Sequence, residues 1–91
     1  MSIRVEFYGI PRQRAGVAAT SVEAGPDGST LSQLLAAIAA AFPDLADACI
    51  GEQALHAGYT ASINGERFVT DPDAVVPSGA ALLIMSTDAG G

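Results

Sequence analysis

The most secure element that the sequence predicts is an amphipathic helix in the middle of the chain. Thr30 and Gln33 have the spacing of a capping box, in which each side chain satisfies a free backbone N–H at the start of a helix. Five apolar residues follow at helical spacing and form one stripe: Leu31, Leu34, Leu35, Ile38 and Phe42. Pro43 ends the helix, because proline disfavours helical geometry at the residue before it. A helix with one apolar stripe is expected to pack that stripe against one face of a sheet in the same domain.

Two strand-like segments precede this helix. Residues 3–8 alternate between the two faces of a half-buried strand. The residues on the apolar face are Ile3, Val5 and Phe7. Residues 17–24 form a second, weaker strand. The connection at residues 10–16 is longer than a tight hairpin turn, and it carries Arg12 and Arg14.

More strands follow the helix. Residues 44–58 are ambiguous, with a possible helical turn before Gly51. Residues 59–64 read as a third strand that ends in Asn64-Gly65, a strong hairpin signal. Residues 67–69 pair back as a short strand. Residues 80–87 form a final strand of nearly continuous apolar character.

The order of these elements predicts the β-grasp architecture. It runs strand, strand, helix, strand, short strand, strand, and it belongs to the α+β class, with a mixed sheet of four to five strands and one main helix. The first and last strands are the most apolar, which suits central positions in the sheet. A length of 91 residues fits one domain, residues 1–91, with a flexible Gly-Gly tail at residues 88–91.

The charge balance narrows the class of partner. The chain has 4 basic and 10 acidic residues, for a formal net charge of −6. Nucleic acid is disfavoured, because that binding needs Lys and Arg to neutralise phosphates. A basic protein surface fits better. All the basic residues are arginines, so the chain offers no ε-amine as an isopeptide acceptor.

Neither a membrane nor an export signal is indicated. The uncharged, mainly apolar stretch at residues 31–43 is shorter than the span of about 20 apolar residues that a bilayer requires. The first residues alternate charged and apolar side chains and lack the apolar core of a signal peptide. We therefore expect a cytoplasmic location.

The sequence contains no enzyme-like constellation. Cys49 and His56 are the single cysteine and the single histidine, too few for a disulfide or a closed zinc site. Cys49 lies in an Ala/Leu-rich segment and is expected to be buried and inert. A nucleophile–base pair of these two residues has no local support. We expect no bound metal, no bound cofactor and no catalytic activity.

The end of the chain carries the most distinctive chemistry. Gly90-Gly91 follows directly after the last strand, and glycines without a Cβ can enter a narrow channel. A terminal carboxyl group has a pKa of about 3.3–3.7, so it is ionised at neutral pH. It becomes reactive once its oxygen attacks the α-phosphate of ATP to give an acyl-adenylate. A sulfur nucleophile can then displace AMP. The alternative is a frayed terminus without function.

The whole pattern resembles the MoaD/ThiS family of ubiquitin-like sulfur carriers, which includes the small subunit of molybdopterin synthase and the thiamine-pathway carrier. The resemblance covers essentially the full chain and depends on the order and spacing of its motifs. These motifs are the opening strand Ile-Arg-Val-Glu-Phe-Tyr-Gly, Arg14-Ala15-Gly16, Thr30-Leu31, the hairpin Ser62-Ile63-Asn64-Gly65-Glu66, a Gly79-led apolar strand and the terminal Gly90-Gly91.

The resemblance implies a carrier that acts as a co-substrate. An ATP-dependent, ubiquitin-activating-like adenylyltransferase would adenylate Gly91, with Ala89 and Gly90 threading into its channel. ATP is used by that enzyme and is not bound by the carrier. A sulfur donor protein would then create a thiocarboxylate, and an acceptor synthase would take the sulfur for molybdopterin, cysteine, thiamine or a secondary metabolite. Alternatives are a ubiquitin-like protein modifier and an interaction domain whose Gly-Gly is incidental.

A docking surface is expected beside the tail. The final strand alternates, and the resemblance places Leu82 and Ile84 in the core, so Leu83 and Met85 point to the opposite face of the sheet. An exposed apolar patch there would suit both the activating enzyme and the synthase. The alternative is that a short loop covers these side chains. Arg12 and Arg14 are further candidates for partner contact.

Overall fold

A computed structural model describes residues 1–51 and 54–87 of the chain. The elements in this part of the chain are, in order, β1 (Ser2–Phe7), α1 (Ile10–Ala15), β2 (Ala19–Glu23), β3 (Ser29–Thr30), α2 (Leu31–Ala41), α3 (Pro43–Cys49), β4 (Tyr59–Ile63), β5 (Arg67–Val69), β6 (Val75–Val76) and β7 (Ala81–Ser86).

Five strands form one mixed sheet in the order β2-β1-β7-β4-β5. The central pair, β1 with β7, is parallel, and the other three pairings are antiparallel. The predicted fold class is confirmed, and so is the central position of the first and last strands. A separate ladder of two residues, β3 with β6, was not predicted.

The core lies between one face of this sheet and the helices. Ile3, Val5 and Phe7 of β1 are buried, as their alternation predicted. The apolar stripe of α2 packs over them, and four of its members are buried: Leu31, Leu34, Leu35 and Ile38. The rings of Phe7 and Phe42 meet edge to face, with centroids 5.5 Å apart. Each large side chain that is fully buried here contributes about 1.5–3 kcal/mol relative to an exposed one.

The capping box of α2 forms as predicted. The Gln33 N–H donates to the Thr30 Oγ1 at 3.2 Å, and the Thr30 N–H donates to the Gln33 Oε1 at 3.0 Å. Pro43 ends α2 and also begins α3, since a proline in the first turn of a helix loses no hydrogen bond. The ambiguous segment after α2 therefore opens with a helix of 7 residues.

The connection between β1 and β2 is a helix, which the sequence analysis missed. Pro11 lies in the first turn of α1, and Gly16 closes it with a left-handed φ of 78°. Arg12 and Arg14 occupy the last turn, where the negative end of the helix dipole favours cations. No helix in the described residues is long and apolar enough to cross a membrane.

Two glycines are required by the local geometry. A Cβ on Gly28 would lie 2.2 Å from the carbonyl oxygen of Val76, so the β3–β6 ladder can close only over a residue without one. Asn64 and Gly65 both have positive φ, 57° and 73°, as a type I′ hairpin turn requires. The predicted hairpin between β4 and β5 is confirmed.

Removal of the N-cap should cost measurable stability. We expect Thr30→Ala to lower the free energy of unfolding by about 1 kcal/mol, because the Gln33 N–H at the start of α2 loses its acceptor, the Thr30 hydroxyl. Chemical denaturation at neutral pH would measure this loss. The matched control is Thr70→Ala, at an exposed threonine outside any helix or strand, which should change the value by less than about 0.5 kcal/mol. Equal losses in the two variants would contradict the role of the cap.

Candidate functional site

The candidate site begins at the end of β7. This strand is paired on both sides, with β1 and with β4, and the N–H of Thr87 donates to the carbonyl oxygen of Gly58 at 2.8 Å. The chain is thus held by hydrogen bonds up to the residue before the tail. The predicted working group, Gly91, and the predicted threading residues, Ala89 and Gly90, lie outside the described residues. The described part of the site is the platform from which the tail begins.

Alternate residues of β7 face opposite sides of the sheet. Leu82 and Ile84 are fully buried in the core, as predicted. Leu83 and Met85 lie on the outer face and are half-buried, paired across the sheet with Ser62 and Thr60 of β4. The outer face thus presents part of two large apolar side chains next to the tail. Their contact with a partner stays a prediction.

Phe68 extends this surface, and the sequence analysis did not select it. It lies on the edge strand β5, opposite Ser62, and it is 71% exposed. We call Leu83, Met85 and Phe68 the outer patch. Phe68 and Met85 border a groove of about 340 Å³ whose other lining residues are Thr60, Ser86 and Thr87. The hairpin register could have identified Phe68, because it puts residue 68 in the same cross-strand row as Leu83.

None of the described residues that line the groove carries a formal charge. Its surface consists of an aromatic ring, a thioether and hydroxyl-bearing side chains. The buried Ser86 Oγ has no hydrogen-bond partner among the described residues. An apolar group that enters the groove therefore displaces water without stripping an ionised side chain of its hydration.

A polar chain of side chains flanks the outer patch on β1. The Arg4 Nε donates to the Glu6 Oε2 at 3.1 Å, and the Tyr8 hydroxyl donates to the Glu6 Oε1. The hydrogen bond from Tyr8, followed by the contact with Arg4, holds the pKa of Glu6 below its ordinary value of about 4.5. The same bond raises the pKa of Tyr8, because a deprotonated phenol would face the carboxylate. Glu6 is the cross-strand neighbour of Leu83, so this network borders the patch directly.

The two candidate arginines of α1 influence different titratable groups. Both are exposed. The charge of Arg12 is close enough to oppose in part the rise in the pKa of Tyr8 that the bond to Glu6 causes, and Arg12 also borders a second groove of about 300 Å³ with Gln13 and residues 16–18. The charge of Arg14 instead opposes the rise in the pKa of Cys49 that burial causes, on the core side of α1. Of the pair, Arg12 lies nearer the polar chain beside the outer patch.

Cys49 is fully buried at the end of α3, as expected. Burial raises the pKa of its thiol, while a hydrogen bond from Tyr59 and the charge of Arg14 act in the opposite direction. Burial is the largest of these effects, so the pKa of the Cys49 thiol lies above its ordinary value. The Nδ1 of His56 lies 3.3 Å from the carbonyl oxygen of Ala48. Within residues 1–51 and 54–87, no group of three His, Cys, Asp or Glu side chains could hold a metal ion.

Comparison with known proteins finds similar structures but no similar sequence. No protein-family model matches the sequence, and no curated protein is similar to it at a significant level. The crystal structure of SAMP1 from Haloferax volcanii superposes with a TM-score of 0.79 at 20% identity, over 100% of both chains. A crystal structure of small archaeal modifier protein 1 from H. volcanii gives 0.71 at 19% identity, over 93% of this chain and 95% of that chain.

A third structure comes from Pyrococcus furiosus and is described as a proposed molybdopterin converting factor, subunit 1. Its TM-score is 0.75 at 22% identity, over 94% of this chain and 97% of that chain. At such identities the likeness shows the fold, and the chain has the ubiquitin-like β-grasp fold.

The polar chain beside the outer patch should appear in the acid dependence of stability. The lowered pKa of Glu6 means that its carboxylate stabilises the fold fully above about pH 4.5, and that this contribution is lost as the pH falls through the lower, folded value. Denaturation curves from pH 7 to pH 3 should show Glu6→Gln less stable than wild type at neutral pH, with the difference shrinking in acid.

Two further variants separate the causes. Tyr8→Phe removes the largest influence on Glu6, so a carboxyl titration followed by nuclear magnetic resonance should show the pKa of Glu6 rising toward its ordinary value. Glu66→Gln changes an exposed carboxylate in the hairpin, and its denaturation curves from pH 7 to pH 3 should match those of the wild-type chain. A Glu6 titration that Tyr8→Phe leaves unchanged would rule out the hydrogen bond as the cause.

Proposed function

We propose that this chain is a sulfur carrier whose Gly91 carboxylate is adenylated and converted to a thiocarboxylate. The chain supplies a deliverable acyl group and a docking surface, while other proteins supply catalysis. Three observations support the proposal: the β-grasp fold, the Gly90-Gly91 ending of the sequence, and the position of the outer patch. The fold is also that of the proposed molybdopterin converting factor subunit from P. furiosus.

The observation that carries the proposal is the position of β7. It is a central strand, held by hydrogen bonds to β1 as far as Ile84 and on the β4 side as far as Thr87, and four residues separate Thr87 from the last carboxyl group. A partner that grips the sheet therefore receives the tail at a defined starting point. Fixing one end of a short segment confines its reactive end to a small volume, which favours reaction by proximity.

The chemistry begins with two displacements. A Gly91 carboxylate oxygen attacks the α-phosphate of ATP in the active site of the adenylyltransferase, and pyrophosphate leaves. The outer sulfur of a persulfide on a donor protein then attacks the acyl carbon and AMP leaves, which gives an acyl disulfide. A second thiol reduces its S–S bond, so that the terminal group becomes a thiocarboxylate. An acceptor synthase takes the sulfur, and water supplies the oxygen that restores the carboxylate. The pathway served by that synthase, molybdopterin, cysteine, thiamine or a secondary metabolite, is set by the synthase and not by the carrier.

A protein modifier is the second candidate. The structural likeness to small archaeal modifier protein 1 favours it, because a modifier and a carrier share the first activation step. The products differ, since a modifier ends in an amide bond to a target amine. The sequence contains no lysine, so a modifier of this kind could not be extended through its own ε-amines.

Activation should change the mass of the chain at one atom. We expect incubation with a competent activating enzyme, ATP and a sulfur donor to exchange one terminal oxygen for sulfur, as measured by intact-protein mass spectrometry and fragment ions that contain Gly91. An extra alanine after Gly91 should abolish the exchange and leave the circular dichroism spectrum unchanged.

Cys49→Ala is the matched control for sulfur bound elsewhere. It should accept sulfur as wild type does, because the Cys49 thiol is fully buried. An amide adduct on a target protein would favour the modifier. An unmodified terminus with an enzyme that activates another carrier would reject both functions and leave an interaction domain.

The outer patch should determine affinity for the activating enzyme. We expect Leu83→Asp together with Met85→Asp to weaken binding at least about tenfold, because apolar contacts at the centre of an interface dominate its energy. Isothermal titration calorimetry would measure the affinity after the fold is verified. Phe68→Asp avoids the risk to the fold, since this side chain is 71% exposed.

The matched control is Val75→Asp. Val75 is also an exposed apolar residue, but it belongs to the separate β3–β6 ladder. Its variant should bind as wild type does. Unchanged affinity in the folded outer-patch variants would place the contact elsewhere, with Arg12 and Arg14 as the next residues to change.

A further inference from the structure

The strand β2 is an open edge of the main sheet. It pairs with β1 on one side, and within the described residues no strand lies on its other side. Its five residues, Ala-Thr-Ser-Val-Glu, include no proline and no lysine. The other edge strand, β5, has three residues, and a short edge is one of the devices that prevent pairing with another chain. β2 is longer, and the charge of Glu23 at its end is the one such device within the strand.

The unpaired backbone groups of β2 can be assigned from its register. The Phe7 N–H donates to the Ala18 carbonyl oxygen, and the Ala24 N–H donates to the Met1 carbonyl oxygen. In an antiparallel pair, hydrogen-bonded positions alternate with positions whose backbone groups point away. Residues 18, 20, 22 and 24 therefore face β1. Ala19, Ser21 and Glu23 direct their N–H and C=O groups outward, in the arrangement that accepts another strand.

The two ends of β2 carry opposite charge. Arg12 borders the same groove as residues 16–18, which lead into the strand, and Arg14 is on the same short helix. Glu23 ends the strand, and its side chain is 88% exposed. Among the described residues, its ion pair is with the amino group of Met1, at 3.5 Å. Asp27 follows in the exposed turn after the strand. The edge is therefore positive where it begins and negative where it ends.

We propose that β2 pairs with β2 of a second copy of this chain, antiparallel, across a two-fold axis close to Ser21. A two-fold interface brings each patch against the same patch of the other copy in reverse order. The Arg12 end of one β2 thus faces the Glu23 end of the other, and this happens twice. The outward N–H and C=O groups of both strands become hydrogen-bonded, and the two sheets become continuous.

This pairing leaves the end of β7 accessible. β1 separates β2 from β7, and the groove bordered by Phe68 and Met85 lies farther across the sheet, at β4 and β5. Each copy keeps its outer patch free for another protein. The inference does not depend on the proposed sulfur chemistry, and its test has no step in common with the activation assay.

The backbone of Ser21 provides the first test. Sedimentation velocity of the wild-type chain over a range of concentrations should show a reversible monomer–dimer equilibrium. Ser21→Pro removes an outward N–H at a position where an edge strand tolerates proline, so it should be monomeric. Ser21→Ala keeps the N–H and should dimerise as wild type does. A wild-type chain that stays monomeric up to about 1 mM would overturn the proposal. A folded Ser21→Pro chain with unchanged dimer affinity would also overturn it.

Charge reversal provides a second test that is independent of proline. Arg12→Glu alone and Glu23→Arg alone each place like charges at both ends of the interface, so each should weaken the dimer about tenfold. An equal mixture of the two variants restores both attractive pairs, and it should form a mixed dimer with an affinity close to wild type. A mixture that associates no better than the separate variants would overturn the antiparallel arrangement. Circular dichroism should be unchanged in both variants.

Discussion

The parallel pairing of β1 with β7 is the interaction on which the rest of the structure depends. Its register places Val5 beside Leu82 and Phe7 beside Ile84, so the inward residues of both strands form one buried surface. The stripe of α2 packs against this surface, and β2 and β4 extend the sheet from its two sides. The pairing joins the two ends of the sequence, so the fold cannot close before the last strand has arrived.

β7 contributes side chains both to the core and to the outer surface, because successive residues of a strand point to opposite faces of the sheet. Leu82 and Ile84 hold β7 in the core, while Leu83 and Met85 between them belong to the outer patch. A shift of one residue in the register would exchange these roles, so the stability of the core also determines which side chains a partner meets. The polar chain of Arg4, Glu6 and Tyr8 borders the patch because β1 follows the same alternation.

The sequence predicts most of the fold because its main signals are local. The capping box, the stripe of α2 and the alternation of β1 each lie within a few residues of one another, and all were confirmed. The helix α1 was missed, because its six residues are too few for an apolar period and its glycine and proline boundaries also suit a turn. The ladder of β3 with β6 depends on a long-range contact that no local pattern encodes.

The candidate site was predictable where its residues follow a local pattern, and not where their positions depend on long-range contacts. The outward direction of Leu83 and Met85 follows from alternation, but the place of Phe68 beside Met85 depends on the pairing of three strands. The effect of Arg14 on Cys49 likewise depends on the packing of α1 against α3, which brings together residues 35 positions apart in the chain. The tail chemistry at residues 89–91 lies outside the described residues, so it remains a prediction from the sequence.

The directions of β1 and β7 have a mechanical consequence. Because the two strands are parallel neighbours, the chain enters β1 at one end of the pair and leaves β7 at the other. A force that pulls residues beyond Thr87 away from the amino end acts along both strands in opposite directions. It loads the hydrogen bonds between them together, in shear, whereas a hairpin pulled at its open end separates one bond at a time. A pull on the tail while the amino end is held therefore has to break these hydrogen bonds together.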